Sequence, residues 1–311
     1  MSPGVRTRQA PRGHPQAAAG AMSLLRLLGD RLLPAARKAA VPTAEALHGA
    51  SAVAIYFSAS WCGPCRGFTP QFAAAYSESL KAKGMRCILV SSDHDEQSFD
   101  NYFGHMPWLA LPYEQRARKE ALSARFGVRT IPTLALVDPA VRLLTAEARE
   151  AVIRDPQGLE YPWAEPAVRD LAEGVPGRIH LTPSVVLLCE GCDAAAHQAA
   201  KETLEAVARE APAPPEHCEP DAPEAEASFS LPPLGYSFFV ATGGPVAQKV
   251  RQLARLPPAA PGGPPVLLLL DIAANGSFYV GPSGGEALEE AGVRGLLEDH
   301  AAGRLDHQQL S

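Results

Sequence analysis

The stretch "YFSASWCGPCRGFTP", residues 56–70, begins as the end of a buried strand and finishes as the start of a helix, with two cysteines at the junction. Upstream, "AVAIYF" (52–57) is β-branched and aromatic, as a covered strand requires. Downstream, "RGFTPQFAAAYSESLKAKG" (66–84) places Phe68, Phe72, Tyr76 and Leu80 on one helical stripe and ends on Gly84. "RCILVSS" (86–92) returns as a strand, so the segment is expected to be a strand, helix, strand crossover.

A Cys-x-x-Cys pair at a helix start suits thiol exchange. Unsatisfied backbone N–H groups and the helix dipole stabilise a thiolate on the first sulfur. Cys62 is therefore the expected nucleophile, and Cys65, one turn along, the expected resolving thiol. Pro64 fixes the backbone where a missing N–H costs nothing, Gly63 lies beside it, and Trp61 is placed to shield the sulfurs on one side. Zinc is the alternative, but a ribbon needs a second pair about 15–20 residues away. The next pair, "CEGC" (189–192), is far outside that window, and no metal site is expected. In "RTIPTL", Pro132 precedes a strand expected beside the active-site helix. A cis Ile131–Pro132 bond would aim the Ile131 backbone at an incoming substrate strand.

Around this core the chain alternates helices and strands. Helices are expected in "DEQSFDNYFGHM", over 114–127 and near 163–172, and a strand in "TLALVD" (133–138). The order recurs downstream: strand 184–188, helix 194–210, strand 236–242, helix 246–256, strand 266–271, an Asn-Gly turn into "FYV", and a closing helix. "PTLALVD" and "PVLLLLD" align Pro132 with Pro265 and Asp138 with Asp271, so the second half reads as a diverged copy of the first. The expected organisation is an extension at 1–21, a catalytic unit at 22–175 and a degenerate copy at 176–311. A disordered Pro- and acid-rich insertion is expected at 211–235, carrying an exposed Cys218.

Composition narrows the function classes. The 311 residues have a net charge of −6, which offers no basic surface for nucleic acid, and no apolar run approaches the ~20 residues of a membrane span. Six unevenly spread cysteines do not make a secreted disulfide framework, so a reducing, cytoplasmic setting is expected. The first 41 residues carry six Arg and one Lys against Asp30 alone, which leaves organelle targeting as the alternative to a disordered extension.

With these motifs assembled, the chain resembles the thioredoxin superfamily, and within it the tryparedoxin and nucleoredoxin branch. The branch is marked by "YFSASWCGPCRGFTP", "MPWLALPY" (106–113) and "VIRDPQGLEYPW" (152–163). "FFVATGG", "LPPAAPGGPPVLLLLDIAANGSFYV" and "LLEDHAAGRL" resemble the carboxy-terminal domain of nucleoredoxins. The resemblance implies an α/β fold with a central mixed sheet flanked by helices, and a second, degenerate thioredoxin-like domain. It also implies reduction of protein disulfides with no bound cofactor. Electrons would come from NADPH through a thioredoxin reductase-like donor or a small dithiol. Redox-dependent binding of signalling proteins, the Wnt-pathway protein Dishevelled among them, and a nuclear as well as cytoplasmic location are implied by resemblance alone.

Two departures stand out. Nucleoredoxins usually carry three such domains against the two read here, and Gly63 replaces the proline common in the branch. Tyr56 stands where thioredoxins have a buried acid, so another group, or water, must assist proton transfer.

Other candidates carry less. Cys189 directly abuts an apolar run, so Cys189 and Cys192 read as structural thiols or a secondary redox pair. Cys87 reads as a small buried hydrophobe, and His94 and His105 as solvated or satisfied. Trp108 reads equally as groove wall or core, and "NGS" (275–277) as a turn.

Overall fold

The computed structural model describes residues 23–34, 39–174, 179–215, 231–272, 276–306 and 308–310. The extension at 1–21, most of the insertion including Cys218, and Asn275 lie outside them. A short hairpin, β1 (Arg31–Leu32) with β2 (Val41–Pro42), precedes the first sheet. That sheet comprises β3 (Ala52–Ser58), β4 (Met85–Ser91), β5 (Leu109–Ala110), β6 (Thr133–Val137) and β7 (Leu143–Thr145), in the order β5-β4-β3-β6-β7. β3 runs parallel to β4 and antiparallel to β6.

Every residue of β3 is buried because the sheet is covered on both faces. Alternation sends Ala52, Ala54 and Tyr56 into one core cluster and Val53, Ile55 and Phe57 into the other.

The second sheet contains β8 (Val168–Asp170), β9 (Ser184–Leu188), β10 (Ser237–Ala241), β11 (Val266–Asp271), β12 (Ser277–Ser283) and β13 (Gln308–Gln309), in the order β13-β12-β11-β9-β10-β8. Here β9 pairs parallel with β10 and antiparallel with β11, as β3 does with β4 and β6. Val185 and Leu187 face one cluster, Val186 and Leu188 the other. Both sheets thus have the mixed thioredoxin-like connectivity, and the chain is α/β.

Three expectations are corrected. The helix expected near 163–172 is instead strand β8 followed by a 3-10 turn at Leu171–Glu173. Its backbone pairs with β10, and Asp170 both caps the turn at the Ala172 N–H and accepts from the Thr242 N–H. Trp163 still packs in the first core, and from Val168 the chain pairs within the second sheet.

The active-site helix begins earlier than 66 and changes character before 84. α1 (Gly63–Ala75) passes into a π-helical segment at Tyr76–Leu80, with Pro70 inside α1 unable to donate to the preceding turn.

The end of the insertion is not free surface. Leu231 and Leu234 are buried in the first unit's core, Leu143 N–H donates to the Leu234 carbonyl at 3.0 Å, and Arg125 holds the Leu231 carbonyl at 2.9 Å. Two apolar side chains three sequence steps apart find a groove there, which outweighs the polar composition around them.

Candidate active site

β3 delivers the chain to Ser58, and α1 starts at Gly63. Between them Cys62 keeps an extended backbone (φ −80°, ψ 114°) and caps the helix with its own sulfur, which accepts the Cys65 N–H at 3.2 Å. An anionic sulfur there meets both a hydrogen-bond donor and the positive end of the helix. Cys62 and Cys65 are joined as a disulfide. Cys65 is fully buried whereas Cys62 retains 6% exposure, so the first sulfur is the one a partner can approach. A Cβ at Gly63 would meet nothing within 4 Å, so sterics do not require glycine between the sulfurs.

Because β6 lies beside β3, with Phe57 opposite Thr133, the loop before β6 reaches the helix start. The Ile131–Pro132 bond is cis, and the Ile131 carbonyl oxygen lies 3.5 Å from the Cys62 sulfur. That oxygen can accept from a Cys62 thiol once the disulfide is reduced.

Trp61 is 51% exposed. Its indole N–H holds the Ser92 carbonyl at 3.0 Å, and its ring stacks on His94 with centroids 5.4 Å apart. His94 is therefore a ring partner of the site, while Trp108, only 2% exposed, is core. Asp93, which sequence reasoning passed over, is buried where β4 ends. It accepts the Ser60 N–H at 2.8 Å and the Ser91 hydroxyl at 2.7 Å, fixing the loop that carries Trp61. A carboxylate just past the strand adjoining β3 was the available signal.

Tyr56 occupies the place of the missing acid. Its hydroxyl meets Thr69 at 2.7 Å and receives Ser58 at 3.2 Å, while Tyr102 joins Thr69 at 2.6 Å and Ser58 at 3.0 Å. Burial pushes the Tyr56 phenol well above its ordinary range, so the group stays neutral. Thr69 stands four residues after Cys65 on the same helix, so these hydroxyls lie along the face that carries the buried sulfur. They can relay a proton without holding a charge.

The second pair is built differently. The helix after it, Ala194–Glu210, is capped by Asp193, whose carboxylate accepts the Ala196 N–H at 2.8 Å. Cys189 and Cys192 thus both precede that helix, whereas Cys62 and Cys65 bracket the start of theirs. Both are free thiols.

A loop covers the pair. A Cβ on Gly191 would fall 2.2 Å from the Ala260 carbonyl oxygen, Gly262 N–H donates to the Gly191 carbonyl at 2.8 Å, and Cys192 Sγ lies 3.7 Å from the Gly263 carbonyl oxygen. Glu190 beside it is tied into a buried ion pair with Arg251 at 2.7 Å. No cis bond precedes Pro265; among the described residues the cis bonds are Ile131–Pro132 and Tyr161–Pro162.

Burial raises the Cys87, Cys189 and Cys192 thiols. The neutral form is thus the folded form, and thiolate accumulates only as pH climbs above the ordinary thiol value of about 9. After reduction, iodoacetamide at neutral pH is expected to label Cys62 first, Cys192 slowly, and Cys87 and Cys189 only on unfolding or at alkaline pH. Peptide mapping in which Cys189 labels as fast as Cys62 would contradict this.

The fold and the capped disulfide define a thioredoxin-like dithiol protein. The thioredoxin-like family profile matches residues 49–143. Nucleoredoxin of Homo sapiens is 32% identical over 261 residues, covering 84% of this chain and 56% of that protein. Tryparedoxin of Trypanosoma brucei brucei is 46% identical over 112 residues, covering 36% of this chain and 78% of that protein. A solved tryparedoxin II from C. fasciculata aligns at 37% identity and a TM-score of 0.44, over 47% of this chain and 96% of that one. The chain belongs to the nucleoredoxin and tryparedoxin family of thioredoxin-like oxidoreductases. It spans about half the length of the nucleoredoxins it matches.

Proposed function

We propose that this chain is a protein-disulfide reductase working through Cys62 and Cys65 in the redox regulation of signalling proteins. The observation that carries the reading is the Cys62 sulfur, placed at a helix start and 3.5 Å from the Ile131 carbonyl. The Cys62 thiolate attacks a substrate disulfide, forming a mixed disulfide and releasing one substrate thiolate. Cys65 then attacks the Cys62 sulfur, closing the disulfide described above and releasing the second substrate thiol. Two electrons pass to the substrate. NADPH restores the dithiol through a thioredoxin reductase-like donor or a small dithiol. Trp61, Gly63, Pro64, Ile131 and Pro132 shape the docking surface. The cytoplasm, and the nucleus by family resemblance, suit a dithiol that must be kept reduced.

A second reading, a redox-gated binding protein for a Dishevelled-type partner, is favoured by the loop over the Cys189–Cys192 turn, which leaves Cys189 buried and Cys192 only partly accessible.

NADPH-coupled insulin reduction with thioredoxin reductase, and again with glutathione as donor, tests the proposal. Turnover is expected in the wild type and Cys189→Ser and absent in Cys62→Ser. A wild type inactive with both donors would leave the binding reading.

A further inference from the structure

Exchange at Cys62 makes no use of Cys189 and Cys192, yet a tight turn holds the second pair together. Cys192 N–H donates to the Cys189 carbonyl at 2.9 Å across Glu190 and Gly191. A β-turn of this kind brings its end Cα atoms within about 7 Å, and a disulfide spans about 4.4–6.8 Å. The same step of three residues is bridged at Cys62 and Cys65 with Cα atoms 5.2 Å apart. Cys189 lies in the second unit's core cluster and Cys192 packs against that cluster, so both side chains leave the turn on its inner side. The turn is fixed from three directions. Cys189 N–H donates to the Ala241 carbonyl at 2.9 Å, the Arg251 guanidinium grips both Glu190 carboxylate oxygens at 2.7 and 2.8 Å, and Gly262 N–H donates to the Gly191 carbonyl at 2.8 Å.

The two sulfurs differ in access as Cys62 and Cys65 do, in reverse chain order. Cys189 is 1% exposed, whereas Cys192 is half-buried. Burial raises the Cys189 thiol, and Cys192 beside it adds to the rise. At Cys192 burial raises the thiol, the Cys189 S–H opposes this by donating to its sulfur, the Asp193 and Glu190 carboxylates add to the rise, and Arg251 opposes it. The Cys192 sulfur also lies 3.7 Å from the Gly263 carbonyl, which accepts its S–H in the neutral form. A buried S–H behind a half-exposed sulfur is the order that thiol exchange needs, with Cys192 to attack and Cys189 to resolve. The Ala260–Gly263 loop lies over Gly191, and the bond before Pro265 is not cis, so a protein strand has no counterpart of the Ile131 edge to dock on. A small disulfide needs only the half-exposed sulfur.

We propose that Cys189 and Cys192 form a second dithiol–disulfide centre, entered at Cys192 and closed by Cys189, whose oxidants are low-molecular-mass disulfides. It goes beyond the exchange at Cys62 and does not rest on it. Cys192, its proton lost to water, attacks a small disulfide such as glutathione disulfide. A Cys192–glutathione bond forms, the substrate S–S bond breaks, and one glutathione thiolate leaves. Cys189 then attacks the Cys192 sulfur, its proton passing to the second departing glutathione, and the Cys189–Cys192 bond closes. Two electrons pass from the pair to the substrate.

The test uses the full chain, reduced and desalted, incubated with glutathione disulfide at about pH 7 and about pH 8, quenched in acid, alkylated in urea and digested with trypsin. Residues 179–201 leave as one peptide that carries both cysteines. That peptide should pass through a glutathione adduct to an internal disulfide that dithiothreitol reverses. The rate should rise about tenfold from pH 7 to pH 8, as the thiolate fraction of a raised thiol does, and at pH 7 it should run on the order of a hundredfold below closure of Cys62–Cys65. Cys189→Ser should stop at the adduct on Cys192, Cys192→Ser should keep Cys189 as a free thiol, and Cys62→Ser should close the second pair at the wild-type rate. A wild-type adduct that persists as it does in Cys189→Ser, or two thiols still free after overnight exposure at pH 8, overturns the second centre and leaves exchange at Cys62 untouched. Loss of closure in Cys62→Ser overturns the small-disulfide oxidant, because the first pair would then be supplying the oxidation.

Discussion

Cys65→Ser is expected to lower multiple-turnover disulfide reduction by on the order of 10³-fold or more, while substrate accumulates as a covalent adduct on Cys62. The asymmetry of the site dictates this. Cys62 lies at the capped helix start with some exposure, while Cys65 is fully buried behind it. Removing Cys65 leaves attack on the substrate in place and abolishes release. Non-reducing electrophoresis should show an adduct that dithiothreitol dissolves. Cys62→Ser should show none, because Cys65 has no exposed surface with which to attack. An equal yield of adduct from the two variants would reverse the assigned roles.

Trp108→Ala is expected to destabilise the protein by about 3–5 kcal/mol, the cost of emptying a large aromatic site in a core. The indole packs against Phe72 at a centroid distance of 4.7 Å, with Tyr56 at 5.8 Å and Tyr76 at 5.6 Å meeting it edge-on. This aromatic cluster holds α1 onto β3, so the loss should spread to the active site. Trp108→Phe should cost much less. The indole N–H is buried and has no hydrogen-bond partner among the described residues, and deleting it removes a desolvation penalty of about 1–3 kcal/mol that offsets part of the lost packing. Urea denaturation of both variants is the measurement. Equal losses would mean that the N–H finds a partner in solution.

What was legible in the sequence was local or periodic. Strands Ser184–Leu188 and Val266–Asp271 and the helix Ala194–Glu210 fall on the residues their patterns predict, because hydrophobic period and capping act within a few residues. The cysteine motif placed the helix start for the same reason, since a sulfur there meets its N–H groups within one turn. β8 was missed because three residues, Val168–Asp170, carry too little pattern to outweigh helix propensity; they are a strand only because β10 offers them backbone partners. Asp93 was missed because its partners, Ser60 and Ser91, fix it through a loop from another strand.

The sequence by itself determined the fold class, the paired halves and the position of Cys62 and Cys65 at a helix start, all of which follow from contacts near in sequence or from periodicity. Only the tertiary structure decided that Trp108 is core, that the Cys189–Cys192 turn lies under the Ala260–Gly263 loop, and that His180 closes over Gly127. Each of those depends on which distant segments meet, and that is settled by burying apolar side chains such as Leu181, Leu231 and Leu234 in a core they do not adjoin in the chain.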